Sequence, residues 1–397
     1  MRNAVIVDGV RTAIGRMGGA LKDVEVEYLA AKVMQEVLKR TGVEGEEIEQ
    51  VIWGHAKQSS DNPNVARLAA LRAGLPIGVP GYTVHRQCAS GLQSINSAAQ
   101  EIMCGLADVV LAGGAESMST APYYLRKARY GYEAGNAELV DPNTESQPRA
   151  QPIEVYGHLT MGLTAENLAV QYQISREEQD EFALASQEKA ATAIRDGKFE
   201  SEIVPYELKK KKETILFDRD EHPRMTSLDK LAELKPVFKQ GGTVTAGNSS
   251  GRNDGASAVL VMAEEEAERR GLKPRLRIIA QASAGVSPEI MGIGPAPSTR
   301  KALKQAGLTL GDIDLIELNE AFAAQALACV KELGIDQKKL NVNGGAIALG
   351  HPLGGTGAIL VTKLMNEMER RGSRYGLVTL CIGGGQGTTT IFENLRM

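Results

Sequence analysis

Cys88 is the first residue whose setting could do chemistry, in His85-Arg86-Gln87-Cys88-Ala89-Ser90-Gly91-Leu92. Apolar residues follow at Leu92, Ile95, Ile102 and Met103, which is helical spacing. That spacing puts the cysteine at a helix N-terminus, where unpaired N–H groups and the dipole favour a thiolate. A small buried core residue is the plainer reading of the same position. Three further segments are dense in small and polar residues: Glu317–Ala323, Asn343–Gly354 and Cys381–Gly387. Each is expected to follow a strand, at the sheet edge where α/β sites form. They bring an amide (Asn319), a histidine (His351) and a second thiol (Cys381), a set suited to acid–base work at a thiol nucleophile. Taken singly, His351 also reads as a cap or core residue, Cys381 as core, and the glycines as turns. Cys104 and Cys329 fall inside helical patterns and read as core.

The elements that must position these residues alternate. Ala4–Val7, Val51–Trp53 and Val109–Leu111 are short Val/Ile-rich runs, with helical periodicity between them as in Tyr28–Leu38. This predicts an α/β architecture with a mainly parallel sheet. The order then repeats. Leu38, Gly42 and Ile48 align without a gap on Leu303, Gly307 and Ile313, each stretch reading helix, glycine cap, turn, strand. Likewise a helix near Cys88 leads to the strand Asp108–Leu111 and Gly113-Gly114, and a helix near His351 leads to Leu377–Leu380 and Gly383–Gly385. The chain therefore reads as a duplicated unit: 1–118, completed by 249–268, and 269–397. Residues 119–248 form an inserted loop domain. There Tyr123–Pro152 is loop-like, and Ser175-Arg176-Glu177-Glu178 is a capping box opening a helix to about Asp196. Lys209–Lys212 reads as a solvated face rather than a phosphate contact.

Composition narrows the class. The 397 residues are 43% hydrophobic and 24% charged, with a net charge of −4, which argues against nucleic-acid or membrane-surface binding. No apolar run is long enough to span a membrane, and Asp8 interrupts the first one too early for a signal peptide. Four scattered cysteines make neither a disulfide scaffold nor a zinc site. A cytoplasmic enzyme with a thiol among its tools is the expectation.

From Ala4 to the C-terminus the chain resembles the thiolase family, the acetyl-CoA acetyltransferases and 3-ketoacyl-CoA thiolases. The resemblance rests on Cys88-Ala89-Ser90-Gly91-Leu92, Gly113–Ser119, Asn319-Glu320-Ala321-Phe322, Asn343–Gly354 and Cys381–Gly387. It implies βαβαβαββ halves in a five-layered αβαβα core. It implies Cys88 as acylated nucleophile, His351 as its base, and Cys381 as the acid/base at the α-carbon or incoming CoA. Asn319 would hold a water that shares one oxyanion hole with His351, and the N–H groups of Cys88 and Gly383 would make the second. Ser250 matches a pantetheine contact, Met161, Met291 and Phe322 match apolar wall positions, and Arg224 a basic residue near the nucleotide. The implied reaction is reversible Claisen condensation of two acetyl-CoA to acetoacetyl-CoA and CoA, with thiolysis of longer 3-ketoacyl-CoA in fatty-acid β-oxidation as the alternative. The resemblance implies no cofactor and no metal, CoA thioesters being substrates. It implies a homo-oligomer, a dimer or a dimer of dimers such as a homotetramer. Two positions depart from the family pattern: His85, where asparagine is common, and Thr160, where many short-chain members carry histidine. The smaller Thr160 is expected to leave a roomier acyl site.

Three other readings compete. Gly247-Asn248-Ser249-Ser250-Gly251 matches the G-x-S-x-G of serine hydrolases, but a strand-like run follows where a nucleophile elbow needs a helix. A non-catalytic lipid- or CoA-binding member of the fold would be expected to lack one of the four chemical residues. A ketoacyl synthase would use a different catalytic set.

Overall fold

The computed structural model describes residues 2–209 and 213–397. Most of the lysine run, residues 210–212, lies outside the described residues. The long strands are β1 (Ala4–Thr12), β2 (Gln50–Gly54), β3 (Gly81–Val84), β4 (Val109–Ser117), β5 (Asn253–Ala263), β6 (Leu276–Gly285), β7 (Leu315–Leu318), β8 (Tyr375–Ile382) and β9 (Gln386–Asn394). The long helices are α1 (Val26–Thr41), α2 (Val65–Ala73), α3 (Ser90–Met103), α4 (Met161–Gln171), α5 (Arg176–Arg195), α6 (Pro295–Ala306), α7 (Ala323–Leu333) and α8 (Leu353–Arg371).

The strand order is β7-β8-β9-β6-β1-β5-β4-β2-β3. Read outward from the middle, each half repeats one pattern. β1, β5, β4, β2 and β3 make the first, and β6, β9, β8 and β7 the second. The fifth strand of the second half is reduced to a single bridge between Ile316 and Leu340. The halves join where Val5 and Ile6 pair with Arg277 and Leu276. The sheet is mixed rather than mainly parallel. Among the long strands β2 with β3, β2 with β4, and β7 with β8 run parallel, and the short strand Ile203–Val204 runs parallel to β1; the other long-strand pairs are antiparallel, including β4 with β5 and β8 with β9. The repeated helix ends are also alike: α1 and α6 both stop at a left-handed glycine, Gly42 and Gly307. α5 opens with the capping box at Ser175 and Glu178.

Packing makes five layers. α1 and α2 cover the first half-sheet, α3 and α8 lie side by side between the half-sheets, and α6 covers the second with α7 beside it. The middle layer must be buried on all sides, and its sequence allows it. Leu92, Ile95, Ala98 and Ala99 are fully buried, and every residue from Gly354 to Met368 is buried. Glycine brings the two helices together. A Cβ on Gly91 would lie 2.7 Å from the Gly354 carbonyl oxygen, and one on Gly357 would lie 2.1 Å from the Leu92 nitrogen. The N-terminal ends of α3 and α8, which follow Cys88 and His351, are thereby held next to each other.

Tyr123–Pro152 is mostly loop, with the short strand pair Tyr124–Leu125 and Leu139–Val140. Asn343–Gly354 follows the Leu340 bridge rather than a strand. Cys329 is buried as expected, but Cys104 is exposed at the end of α3, where the helix has already left the core.

Candidate active site

Loops leaving the C-terminal ends of β2, β3, β4, β7 and β8 converge on a cavity of ≈ 180 Å³. Its wall includes Cys88, His351, Gly383, Ser250, Met161, Met291 and Phe322. Seven of the ten residues singled out from the sequence thus meet in one place. Cys381 and Asn319 stand directly behind the wall, both fully buried. Cys381 packs in one apolar cluster with Met161, Met291 and Phe322. Arg224 does not line the cavity. It is exposed, and its guanidinium donates to the Ala246 carbonyl at 3.1 Å.

Cys88 does not sit in the first turn of α3. The helix begins at Ser90, and Gln87 just before the cysteine has φ +45°. A non-glycine residue there stores strain of roughly 1–3 kcal/mol, held by the surrounding packing. The expected thiolate is not the resting state. Burial pushes the Cys88 thiol up to about 11, outweighing the Gly383 N–H that hydrogen-bonds its sulfur and the nearby Lys57 ammonium. A thiol held so high needs a base at the moment of attack.

His351 is that kind of group. Burial holds it down to about 4, with the charge of Glu116 opposing, so its imidazole is neutral at pH 7. Its tautomer follows from its neighbours. The Thr356 hydroxyl donates to the Pro352 carbonyl at 3.0 Å, so it accepts from His351 Nδ1–H at 2.6 Å. The Nε2 lone pair then faces the Asn319 amide, Nδ2 at 3.4 Å. Asn319 Oδ1 is buried without a protein partner. The His351 backbone N–H donates to Asn253 Oδ1 at 2.9 Å, which fixes the loop before α8. Burial first, and then the charge of a Cys88 thiolate, push Cys381 well above the usual thiol range.

Sequence reasoning missed a second set. Glu116 is fully buried and accepts the backbone N–H groups of Ala56, Lys57 and Gly354 at 3.1, 3.1 and 2.8 Å. It also pairs with His55 Nδ1 at 2.8 Å. One carboxylate therefore ties the loop after β2 to the start of α8. Its place inside Gly113–Ser119 was the available signal, as was the five-residue spacing from His351 to Thr356. Lys57 carried no signal, lying in no motif.

Two departures are resolved. Thr160 is not on the cavity wall. It is the N-cap of α4, its hydroxyl accepting from Leu163 N at 3.4 Å, so it does not widen the acyl site. His85 is exposed, and the part of its ring that is desolvated lowers its imidazole below the ordinary range, with the charge of Glu116 opposing. The hydrolase reading fails on geometry: Ser249 donates to the Thr245 carbonyl at 2.7 Å, and β5 follows it instead of a helix.

Comparison with known proteins agrees with this architecture. The thiolase N-terminal domain model matches residues 4–265, and the thiolase C-terminal domain model matches 272–394. An acetyl-CoA acetyltransferase of Syntrophomonas wolfei is 49% identical, covering 99% of this chain and 100% of its own. The crystal structure of the Bacillus anthracis acetyl-CoA acetyltransferase superimposes with a TM-score of 0.97 at 49% identity, covering 99% of both chains. That of human mitochondrial 3-ketoacyl-CoA thiolase gives 0.94 at 45% identity, again over 99% of both. With a duplicated five-layered core and a cavity walled by Cys88, His351 and Gly383, the chain is an acyltransferase that belongs to the thiolase family.

Proposed function

We propose that the protein is an acetyl-CoA C-acetyltransferase, joining two acetyl-CoA into acetoacetyl-CoA and CoA through an acyl-cysteine on Cys88. One observation carries the reading most directly: the Cys88 sulfur takes the Gly383 N–H in a cavity shared with a neutral His351. With the thiol high and the imidazole low, a resting thiolate–imidazolium pair is disfavoured. His351 Nε2 therefore takes the proton as sulfur attacks the thioester carbonyl, and CoA leaves with the proton of Cys381, which remains as the thiolate while His351 keeps its Nε2–H. The tetrahedral oxyanion falls to the N–H groups of Cys88 and Gly383, where each donor is typically worth ~2.7–4 kcal/mol.

A second acetyl-CoA then loses an α-proton to the Cys381 thiolate, and its enolate oxygen accepts from His351 Nε2–H and from a water on Asn319. The carbanion attacks the acyl-cysteine carbonyl, the C–S bond to Cys88 breaks as acetoacetyl-CoA departs, and His351 returns its proton to the Cys88 sulfur. In thiolysis the steps reverse. Cys381, kept as a thiol by burial, then protonates the departing α-carbon. These residues hold and move every proton of the cycle, so no metal or redox group is required. Ser250 and Arg224 are assigned to CoA, one on the cavity wall and the other outside it.

Thiolysis of longer 3-ketoacyl-CoA in fatty-acid breakdown is a second reading, favoured by the adaptable wall of Met161, Met291 and Phe322. We assign the cytoplasm because four free thiols suit a reducing compartment. We also assign a dimer or dimer of dimers, supported by exposed Tyr123, Tyr130 and Leu139 on the loop after β4. A monomeric mass by light scattering at micromolar concentration would overturn the assembly. The test of the reaction is incubation with acetyl-CoA followed by peptide mass spectrometry. One acetyl group is expected on the Cys88 peptide, and an acetyl group on Cys381 instead would reverse the two thiols.

A further inference from the structure

The nucleophile follows a strained turn, and one buried hydroxyl holds that turn at two points. Gln87, at φ +45°, lies in the left-handed region that favours glycine. Left alone, a glutamine there relaxes to negative φ and carries the Gln87–Cys88 peptide with it. Ser90 opposes this. It is fully buried and does not line the cavity. Its Oγ accepts from the Arg86 N–H at 2.9 Å and donates to the Gln87 carbonyl at 2.6 Å. A serine at a helix start ordinarily serves the helix's own N–H groups. Here no side chain caps α3, and the hydroxyl turns back into the loop instead. It reaches out from a fixed base. A Cβ on Gly54, the last residue of β2, would lie 2.3 Å from the Ser90 carbonyl carbon, so the first turn of α3 rests directly on that strand.

The effect is felt on the other side of the same peptide. A trans peptide is planar, and its N–H points away from its C=O. With the Gln87 carbonyl drawn to Ser90, the Cys88 N–H is turned the opposite way, against the Cys88 sulfur. This is the N–H that, with that of Gly383, falls to the oxyanion of acyl transfer. Two backbone bonds also support the turn, from Ser90 N–H to the Gln87 carbonyl at 3.1 Å and from Ala89 N–H to the Arg86 carbonyl at 3.0 Å. Both are longer than the hydroxyl's bond to Gln87, and neither engages the Arg86 N–H.

We propose that Ser90 is a positioning residue for acyl transfer, its hydroxyl holding the strained Gln87 turn so that the Cys88 N–H meets the oxyanion. This rests on the acyl-cysteine reading above and names what aims one of its donors. In that step the Cys88 sulfur bonds to the thioester carbonyl carbon, its proton goes to His351 Nε2, and the carbonyl oxygen takes the negative charge. The carbon–sulfur bond to CoA then breaks, the carbonyl reforms, and CoA leaves with the Cys381 proton. Alkylation of the same thiol by iodoacetamide makes no oxyanion: sulfur displaces iodide, and the thiol proton again goes to His351.

The experiment compares these two rates at Cys88, each product mapped by peptide mass spectrometry. In Ser90→Ala, acetylation at saturating acetyl-CoA should fall by about tenfold or more, toward the loss typical of an oxyanion-hole donor, while alkylation continues at about the wild-type rate. Gln87→Gly removes the strain, because glycine takes positive φ freely. Adding Ser90→Ala to Gln87→Gly should therefore cost acetylation much less than it costs the parent. An equal fall in acetylation and alkylation overturns the proposal, since Ser90 would then act on the thiol or on the fold as a whole. So does wild-type acetylation in Ser90→Ala, or the same loss in both backgrounds. Where Ser90→Ala alone does not fold, the Gln87→Gly pair decides: an unchanged ratio of acetylation to alkylation supports the proposal, and a ratio lowered about tenfold overturns it. A wild type that is alkylated on Cys88 but takes no acetyl group there would remove the acyl-cysteine reading itself and the proposal with it.

Discussion

At the scale of single residues, the site separates two protons by giving two groups opposite resting states. His351 is neutral with a free Nε2 lone pair, ready to accept. Cys381 is held as a thiol by burial, ready to donate. Different half-reactions should therefore fail when each is removed. His351→Ala is expected to slow acylation of Cys88 by ~10²–10⁴-fold, the usual worth of a positioned base. Cys381→Ala should acylate more nearly normally but lose α-proton exchange on acetyl-CoA. Single-turnover acylation and deuterium uptake measure the two separately, and equal loss of both in both variants would undo the division. Thr356 belongs to the same argument, because it holds His351 in one tautomer without touching substrate. Thr356→Val leaves a buried ring N–H unpaired, a cost of ~1–3 kcal/mol. It should lower the acylation rate with KM little changed, and Thr356→Ser should restore it.

At the scale of elements, the reacting residues are placed by two helices that touch through glycine. Gly357→Ala would set a Cβ 2.1 Å from the Leu92 backbone nitrogen, where no flexible side chain can yield. Overpacking of this kind costs typically ~1–3 kcal/mol or more, so a clear loss of Tm is expected. Gly78→Ala, with no heavy atom within 4 Å, is the control and should leave Tm unchanged. An unmoved Tm in Gly357→Ala would mean that the middle layer tolerates separation. Elements of this kind were legible in the sequence because their signals are local. The apolar stripe of α3, the glycine ends of α1 and α6 and the capping box of α5 each lie within a single element. The duplicated order was legible for the same reason. What could not be read depends on partners far apart in the chain. Glu116 meets Gly354 across 238 positions, and the reversal of β5 against β4 brings Ala256 opposite Ala115. Neither leaves a periodicity. The Cys88 thiol was misjudged likewise: helix-end electrostatics are local, but the burial that outweighs them comes from loops of both halves.

At the scale of the whole molecule, burying these groups ties stability to pH. His351 and His222 are both buried and both held down to about 4 by that burial. In the unfolded chain each returns to about 6.5. Between those values the unfolded chain binds protons that the folded one refuses, so stability is lost as pH falls. Each histidine alone would contribute about 2–3 kcal/mol of loss between pH 6.5 and 4.5. Asp254 runs the other way. Burial pushes it up to about 6, against its hydrogen bonds from Ser119, so the folded state takes a proton that the unfolded carboxylate does not. Stability gained there on acidification offsets about one histidine. His55 is raised despite its burial, by Glu116, and its term falls above pH 6.5, outside this window. Glu202, Glu317 and Glu320 are buried carboxylates that burial also raises, and they act on the same side as Asp254, so His222 and Asp254 are read as differences from wild type in urea midpoints at pH 6.5 and 4.5. In His222→Gln the stability lost on acidification should shrink by about one histidine's worth. In Asp254→Asn the loss should grow by about the same amount. Slopes that do not move in these opposite directions would show that acid stability is set elsewhere, in the surface carboxylates rather than in the groups buried around the cavity.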